Sequence, residues 1–198
     1  MTNASAPLVL ALGDSLTAGY GLAPSACFPA QLQTLLGQHR AGAIVHNAGV
    51  SGDTTAGGIR RLPRVLASLS RKPDLAIVEL GANDVLFGVP PERTRANLDA
   101  ILLELGRCGV PALLATFEPP AFLGPTAALY QDIYADMRAR HGVATHPFFP
   151  PGVVGRPELT LADRIHPNAR AIEIVAAAFL PAVLAALDGE WLMQMRRL

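Results

Sequence analysis

Short apolar runs alternate along this chain with longer segments whose apolar residues recur at helical spacing. Leu8–Leu12, Ile44–Asn47, Leu75–Leu80, Ala112–Thr116 and the brief Val143–Thr145 read as strands, several of them apolar without alternation. Continuous apolar strands of that length suit a parallel sheet buried on both faces. Between them, Pro29–Leu36 places Leu32, Leu35 and Leu36 on one helical face. A second helix carries Ile59, Leu62, Val65, Leu66 and Leu69, with Thr54 or Thr55 as its cap. Pro63 inside that pattern predicts a kink or an early stop. Further helices are expected over Pro91–Cys108 and Pro125–Arg140, and an Ala-rich one after Pro167. Strand–helix alternation of this kind predicts an α/β fold with helices on both faces of a parallel sheet. No repeat or low-complexity linker divides residues 1–198, which read as a single domain.

Composition narrows the setting. Sixteen basic residues balance sixteen acidic ones with no basic stripe, which argues against nucleic acid as a partner. Hydrophobic residues make up 51% of the chain and the mean hydropathy is +0.32. The longest apolar segment, Ala169 to Leu187, contains Arg170, Glu173 and Pro181 and reads as a packed helix; no transmembrane segment is expected. Cys27 and Cys108 have no metal-ligand spacing, and free thiols are favoured over a bridge. Residues 1–7 lack a charged and then apolar leader, so a cytoplasmic location is expected for the chain as it stands, and a periplasmic one if a leader has been removed.

The chemistry gathers where strands end. The first run breaks into Gly13-Asp14-Ser15, the second into Gly49-Val50-Ser51-Gly52-Asp53 and the third into Gly81-Ala82-Asn83-Asp84. In a parallel sheet these ends share one rim, so distant residues converge there. Ser15 is a candidate nucleophile that requires a base. Of the five histidines, His39, His46, His141 and His146 sit in contexts that suggest structural or surface groups. His166 follows Asp163 by three residues in a loop before a helix. A carboxylate so placed can hold Nδ1 of the imidazole and leave Nε2 facing a serine. The backbone N–H groups of Ser15 and Gly52 and the side-chain amide of Asn83 are candidate oxyanion donors. Asp14 is read as satisfying backbone donors of its turn, and Asp53 and Asp84 as loop-stabilising acids. A metal site built from those three acids has no supporting histidine or cysteine spacing, so no metal is expected.

Gly13-Asp14-Ser15-Leu16, the loop Gly52, Gly81-Ala82-Asn83-Asp84 and Asp163-Arg164-Ile165-His166 resemble, in order and spacing, the four blocks of the GDSL/SGNH hydrolases. Ser51-Gly52-Asp53-Thr54, Arg61-Leu62-Pro63, Pro119-Pro120 and Gly124, and Ile165-His166-Pro167-Asn168 extend the resemblance to the bacterial acyl-CoA thioesterase I, lysophospholipase L1 and arylesterase branch. It implies a three-layer α/β/α sandwich, flavodoxin-like, with sheet order 2-1-3-4-5. It implies Ser15 as nucleophile, His166 as base, Asp163 as its orienter, and an oxyanion hole from Ser15, Gly52 and Asn83, without a cofactor. The implied substrates are small-molecule acyl or aryl esters, thioesters and lysophospholipids.

The chain departs from the branch pattern at Ala82 and Arg164, where glycine is usual. Loop placement suggests a substrate pocket formed by Leu16, Val85, Phe117 and Phe122. A carbohydrate O-deacetylase of the same fold is the nearest alternative, although 6% aromatic content and the single Trp191 argue against a stacking platform for sugars. A non-catalytic lipid-binding module is the more distant one. The amphipathic tail Trp191–Leu198 is expected to pack on the body.

Overall fold

The computed structural model describes residues 6–118, 128–130 and 132–189. Five parallel strands form one sheet in the order β2-β1-β3-β4-β5: β1 (Leu8–Gly13), β2 (Ile44–Gly49), β3 (Leu75–Glu79), β4 (Ala112–Thr116) and β5 (Ala144–Pro147). Both β1 and β3 are buried throughout, as their unbroken apolar runs predict. Their register pairs Val9 with Leu75 and Gly13 with Glu79.

Alternate side chains feed two apolar layers, because successive strand residues point to opposite faces. Val9, Ala11, Ile77 and Leu113 face one layer, which α2 (Phe28–His39) and the last helix, α7 (Ala169–Leu187), close with Phe28, Leu32, Ile172 and Phe179. Leu10, Leu12, Val78 and Leu114 face the other. That side is covered by Leu62 of α3 (Thr55–Ser68), Leu98 and Ile101 of α5 (Pro91–Arg107), and Met137 of α6 (Ile133–His141). The three-layer α/β/α arrangement and the strand order agree with expectation.

Some details differ. Thr54 caps α3 by accepting from Gly57 N, but Pro63 does not stop that helix, which runs on to Ser68. Its amphipathic face packs Leu62, Val65 and Leu66 on the sheet, and this burial outweighs the hydrogen bond the proline cannot donate. Two short helices absent from the expectation, α1 (Ser15–Ala18) and α4 (Ala82–Leu86), occupy the rim after β1 and β3. Helix α7, at 19 residues, is long and apolar enough by composition to cross a membrane, yet it buries Ile172, Val175, Phe179 and Val183 in the core. Cys27 and Cys108 are free thiols. Of the helix expected over 125–140, the residues before Ala128 lie outside the described part, as do Phe122 and the tail from Trp191.

Candidate active site

Sheet order reverses between β1 and β3, and in open α/β sheets ligands bind beside the carboxyl ends of strands at such a switch point. Ser15 and Asn83 follow the two strands that flank it. A Cβ on Gly13 would meet Thr17 Oγ1 at 2.0 Å and Glu79 Oε2 at 2.6 Å, so only glycine lets the chain turn there. Asp14 caps the single-turn helix α1, its Oδ1 accepting from Leu16 N at 2.9 Å. Gly19 closes the turn in the left-handed region at φ 83°. Ser15 is thus the first helical residue, a position whose N–H lacks an intrahelical acceptor. Neither the N–H of Ser15 nor that of Gly52 has an acceptor among the described residues.

His166 Nε2 lies 3.1 Å from Ser15 Oγ, and its Nδ1 lies 2.6 Å from Asp163 Oδ2. The other oxygen of Asp163 accepts from Ile165 N at 2.9 Å and His166 N at 3.0 Å. Those two N–H groups, with the imidazole, hold the Asp163 carboxyl down at about 2, so it is an anion throughout the neutral range. A small antiparallel closure supports the loop: Leu161 N donates to His166 O at 2.8 Å and Asn168 N to Leu159 O at 2.9 Å. Arg164, between acid and base, is the one non-glycine residue among those described with positive φ, at 59°. The ring of Tyr20 lies 4.4 Å from that of His166, tilted by 35°.

The loop bearing Gly52 is anchored by Arg61. Its Nε meets Asp53 Oδ2 at 2.7 Å, and its two terminal nitrogens donate to Ala48 O at 2.5 Å and Gly13 O at 2.8 Å. One guanidinium therefore joins the ends of β1 and β2 to the Gly52 turn. Gly52 itself, at φ 79°, borders open space. On the far side Asp84, fully buried, accepts from Thr55 N, Thr55 Oγ1 and Thr94 Oγ1, which fixes α4 against α3 and α5. Asp14, Asp53 and Asp84 thus stabilise turns, as the sequence suggests. Among the described residues no group of three His, Cys, Asp or Glu could hold a metal.

Asn83 lies where expected, but its Nδ2 is already engaged with Asp14 Oδ2 at 3.0 Å and Asp53 O at 2.9 Å. Of the expected pocket residues, Val85 and Phe117 line one small cavity together with Gly81 and Tyr134. Leu16 and Val85 are both buried, in opposite layers. Phe117 is half-buried against the second layer, and Phe122 lies outside the described residues. Tyr20, Val50, Leu86, Phe87 and Ile165 stand exposed instead, beside the residues of the site.

Sequence reasoning missed Glu79, which is 3% exposed at the end of β3. Its Oε2 accepts from Thr17 Oγ1 at 2.8 Å and from Asp14 N at 3.3 Å. Burial and the neighbouring Asp14 charge push its carboxyl well above the ordinary range. Burial also raises Asp14 to about 6, against the opposing pull of Leu16 N–H. An acid ending an otherwise apolar strand was the available signal.

Residues 11–174 match the family described as GDSL-like lipase/acylhydrolase. An arylesterase of Vibrio mimicus is 35% identical over 164 residues, covering 82% of this chain and 81% of the relative. The thioesterase 1/protease 1/lysophospholipase L1 of Escherichia coli K12 is 36% identical over 174 residues, covering 87% and 81%. Among solved structures, AlinE4, an SGNH-hydrolase family esterase, superposes with a TM-score of 0.76 at 44% identity, covering 92% of this chain and 97% of its own. With the Ser15–His166–Asp163 chain of contacts at its sheet rim, this protein belongs to the GDSL-like lipase/acylhydrolase family.

Proposed function

We propose that the protein hydrolyses carboxylic esters through an acyl-enzyme on Ser15, with His166 as base and Asp163 as the residue that orients it. The observation that carries this reading is the pair of contacts from His166, 3.1 Å to Ser15 Oγ and 2.6 Å to Asp163 Oδ2. Asp163 accepts a hydrogen bond from Nδ1–H, which leaves the lone pair of Nε2 facing the hydroxyl. As Oγ bonds to the carbonyl carbon, its proton passes to Nε2. The carbonyl oxygen, now an anion, takes the free N–H groups of Ser15 and Gly52. Asn83 joins as third donor when its Nδ2 exchanges Asp53 O for the oxyanion. Collapse expels the alcohol or thiol, which leaves with the proton from His166. A water then repeats the sequence on the acyl-enzyme and regenerates Ser15.

The exposed side chains favour an apolar acyl or aryl portion of the ester, since Phe87 and Ile165 are 64% and 70% exposed at the rim. The substrate class is accordingly small acyl or aryl esters, extending to the thioesters and lysophospholipids named for the Escherichia coli relative. The test is hydrolysis of p-nitrophenyl esters from acetyl to palmitoyl, an acyl-CoA and a lysophospholipid by wild type and Ser15→Ala. A fall of about 10⁴ or more in the variant is expected. Equal rates in the two proteins refute the reading, and a profile confined to acetyl esters would favour a deacetylase.

A further inference from the structure

Beneath the nucleophile turn lie two carboxyl groups that the mechanism above does not use. Asp14 is 1% exposed and Glu79 3%, and the backbone N–H of Asp14 donates to Glu79 Oε2 at 3.3 Å. Among the described residues no cation forms an ion pair with either one: Arg61, which reaches Gly13 O, is bound to Asp53 and Ala48 O as well. The other titratable groups facing the pair are His166 from the loop before α7 and Tyr134 from α6, whose hydroxyl donates to Leu80 O at 3.0 Å. Two adjacent anions in so dry a place are not sustained, and one proton stays with the pair.

The hydrogen bonds say which residue keeps it. Asp14 accepts two N–H donors, Leu16 N at 2.9 Å and Asn83 Nδ2 at 3.0 Å, an environment made for a carboxylate. Glu79 accepts only a hydroxyl and one long amide contact, both on Oε2. Its remaining capacity suits a neutral acid that donates toward Asp14.

We propose that Glu79 is a positioning residue for ester hydrolysis: a neutral carboxylic acid that holds the Asp14 carboxylate in place and so aligns the Ser15 turn with the Asn83 amide. Thr17 Oγ1 and Asp14 N tie Glu79 to the nucleophile turn, while β3, which Glu79 ends, continues directly into Asn83. Asp14 Oδ2 holds Asn83 Nδ2 from below, so the amide can release Asp53 O and turn to an oxyanion without leaving the site. Without Glu79, Asp14 loses a neighbouring donor, and the two halves of the oxyanion hole lose their common anchor.

This inference rests on the proposed hydrolase reading, and its test keeps the two apart. Glu79→Gln retains a neutral group that accepts from Thr17 and donates to Asp14; Glu79→Leu retains bulk alone. Steady-state kinetics on a p-nitrophenyl ester should show Glu79→Gln within about threefold of wild-type kcat. Glu79→Leu should lose about 10²-fold in kcat with little change in KM, the scale of one misplaced oxyanion donor. Infrared spectra at neutral pH should show a protonated carboxyl C=O band in wild type that is missing in Glu79→Gln. That readout needs no activity and survives failure of Glu79→Leu to fold. The proposal is overturned if Glu79→Gln is as impaired as Glu79→Leu, if folded Glu79→Leu keeps full kcat, or if the band is absent. A wild type no faster than Ser15→Ala overturns the hydrolase reading itself, whatever the spectra show.

Discussion

Replacing Asp163 by asparagine separates the orienting role of this carboxylate from its role in shaping the loop. Oδ1 accepts two backbone N–H groups, from Ile165 at 2.9 Å and His166 at 3.0 Å, and Oδ2 meets His166 Nδ1 at 2.6 Å. An amide can satisfy one set only. With its oxygen on the two backbone donors, its NH₂ faces Nδ1, so the imidazole must carry its proton on Nε2, toward Ser15, and cannot act as base. The flipped amide restores Nδ1–H but sets two backbone N–H donors against NH₂, giving up two hydrogen bonds to keep one. The first arrangement wins, and it holds the wrong tautomer.

A wrong tautomer at such a triad costs about 10⁴ in kcat. The side chain of Asp163 is 34% exposed, so water can partly relieve the mismatch, and a fall between about 10² and 10⁴ is expected here. The assay is kcat for a short p-nitrophenyl ester at neutral pH, beside Asp163→Ala. Alanine leaves the site to water, which satisfies either tautomer, so Asp163→Asn should be no faster than Asp163→Ala. An asparagine variant within tenfold of wild type, or clearly faster than the alanine variant, would refute the tautomer argument. Because the Asp163 carboxyl sits at about 2 in the fold, below its ordinary value near 3.8, its contribution to stability is complete above that ordinary value. It is lost only as pH falls toward about 2, so any decline of activity at mildly acidic pH has another origin. Asp14 has the opposite sign: raised to about 6, it favours the folded state on acidification from about 6 toward 4.

Arg164 at φ 59° bears a left-handed strain of about 1 kcal/mol, part of which glycine would relieve and then return through its looser unfolded state. Urea unfolding should find Arg164→Gly neutral to about 1 kcal/mol more stable and Arg164→Val at least about 1 kcal/mol less stable; equal midpoints would contradict this. Val85→Ala should cost about 2 kcal/mol in the same assay and leave the acyl-chain profile unaltered, since Val85 packs in the core. Phe87→Ala, at a 64% exposed position, should leave stability within about 0.5 kcal/mol and shift the profile toward short esters; the reverse pattern would assign the acyl contact to Val85.

The sheet was legible because β1 and β3 are buried on both faces and therefore apolar without interruption. Helices α1 and α4 were not, since four and five residues carry no measurable period. Leu16 follows Ser15 directly, yet one step along a helix turns a side chain by about 100°, from the rim into the core. His166 and Asp163 were readable because their contact is local, three residues apart. Glu79 was not, because its meaning lies in a partner 65 residues away, across the register that sets it beside Gly13.

That register also explains the glycine that opens the nucleophile turn. A Cβ on Gly13 would strike Thr17 Oγ1 and Glu79 Oε2, the two atoms joined at 2.8 Å beneath the turn. A Cβ on Gly49, opposite Gly13 on β2, would run into the backbone of Ala18 at 2.2 Å. The two glycines sit side by side at the sheet rim, and both are there for the same reason: α1 lies directly on the strand ends. Only in that seat does Ser15 begin a helix with its N–H unspent and its hydroxyl facing His166. The chemistry of the serine is therefore set by what is missing from the residues beneath it, and a side chain at either glycine would lift the nucleophile away from its base before it altered the sheet.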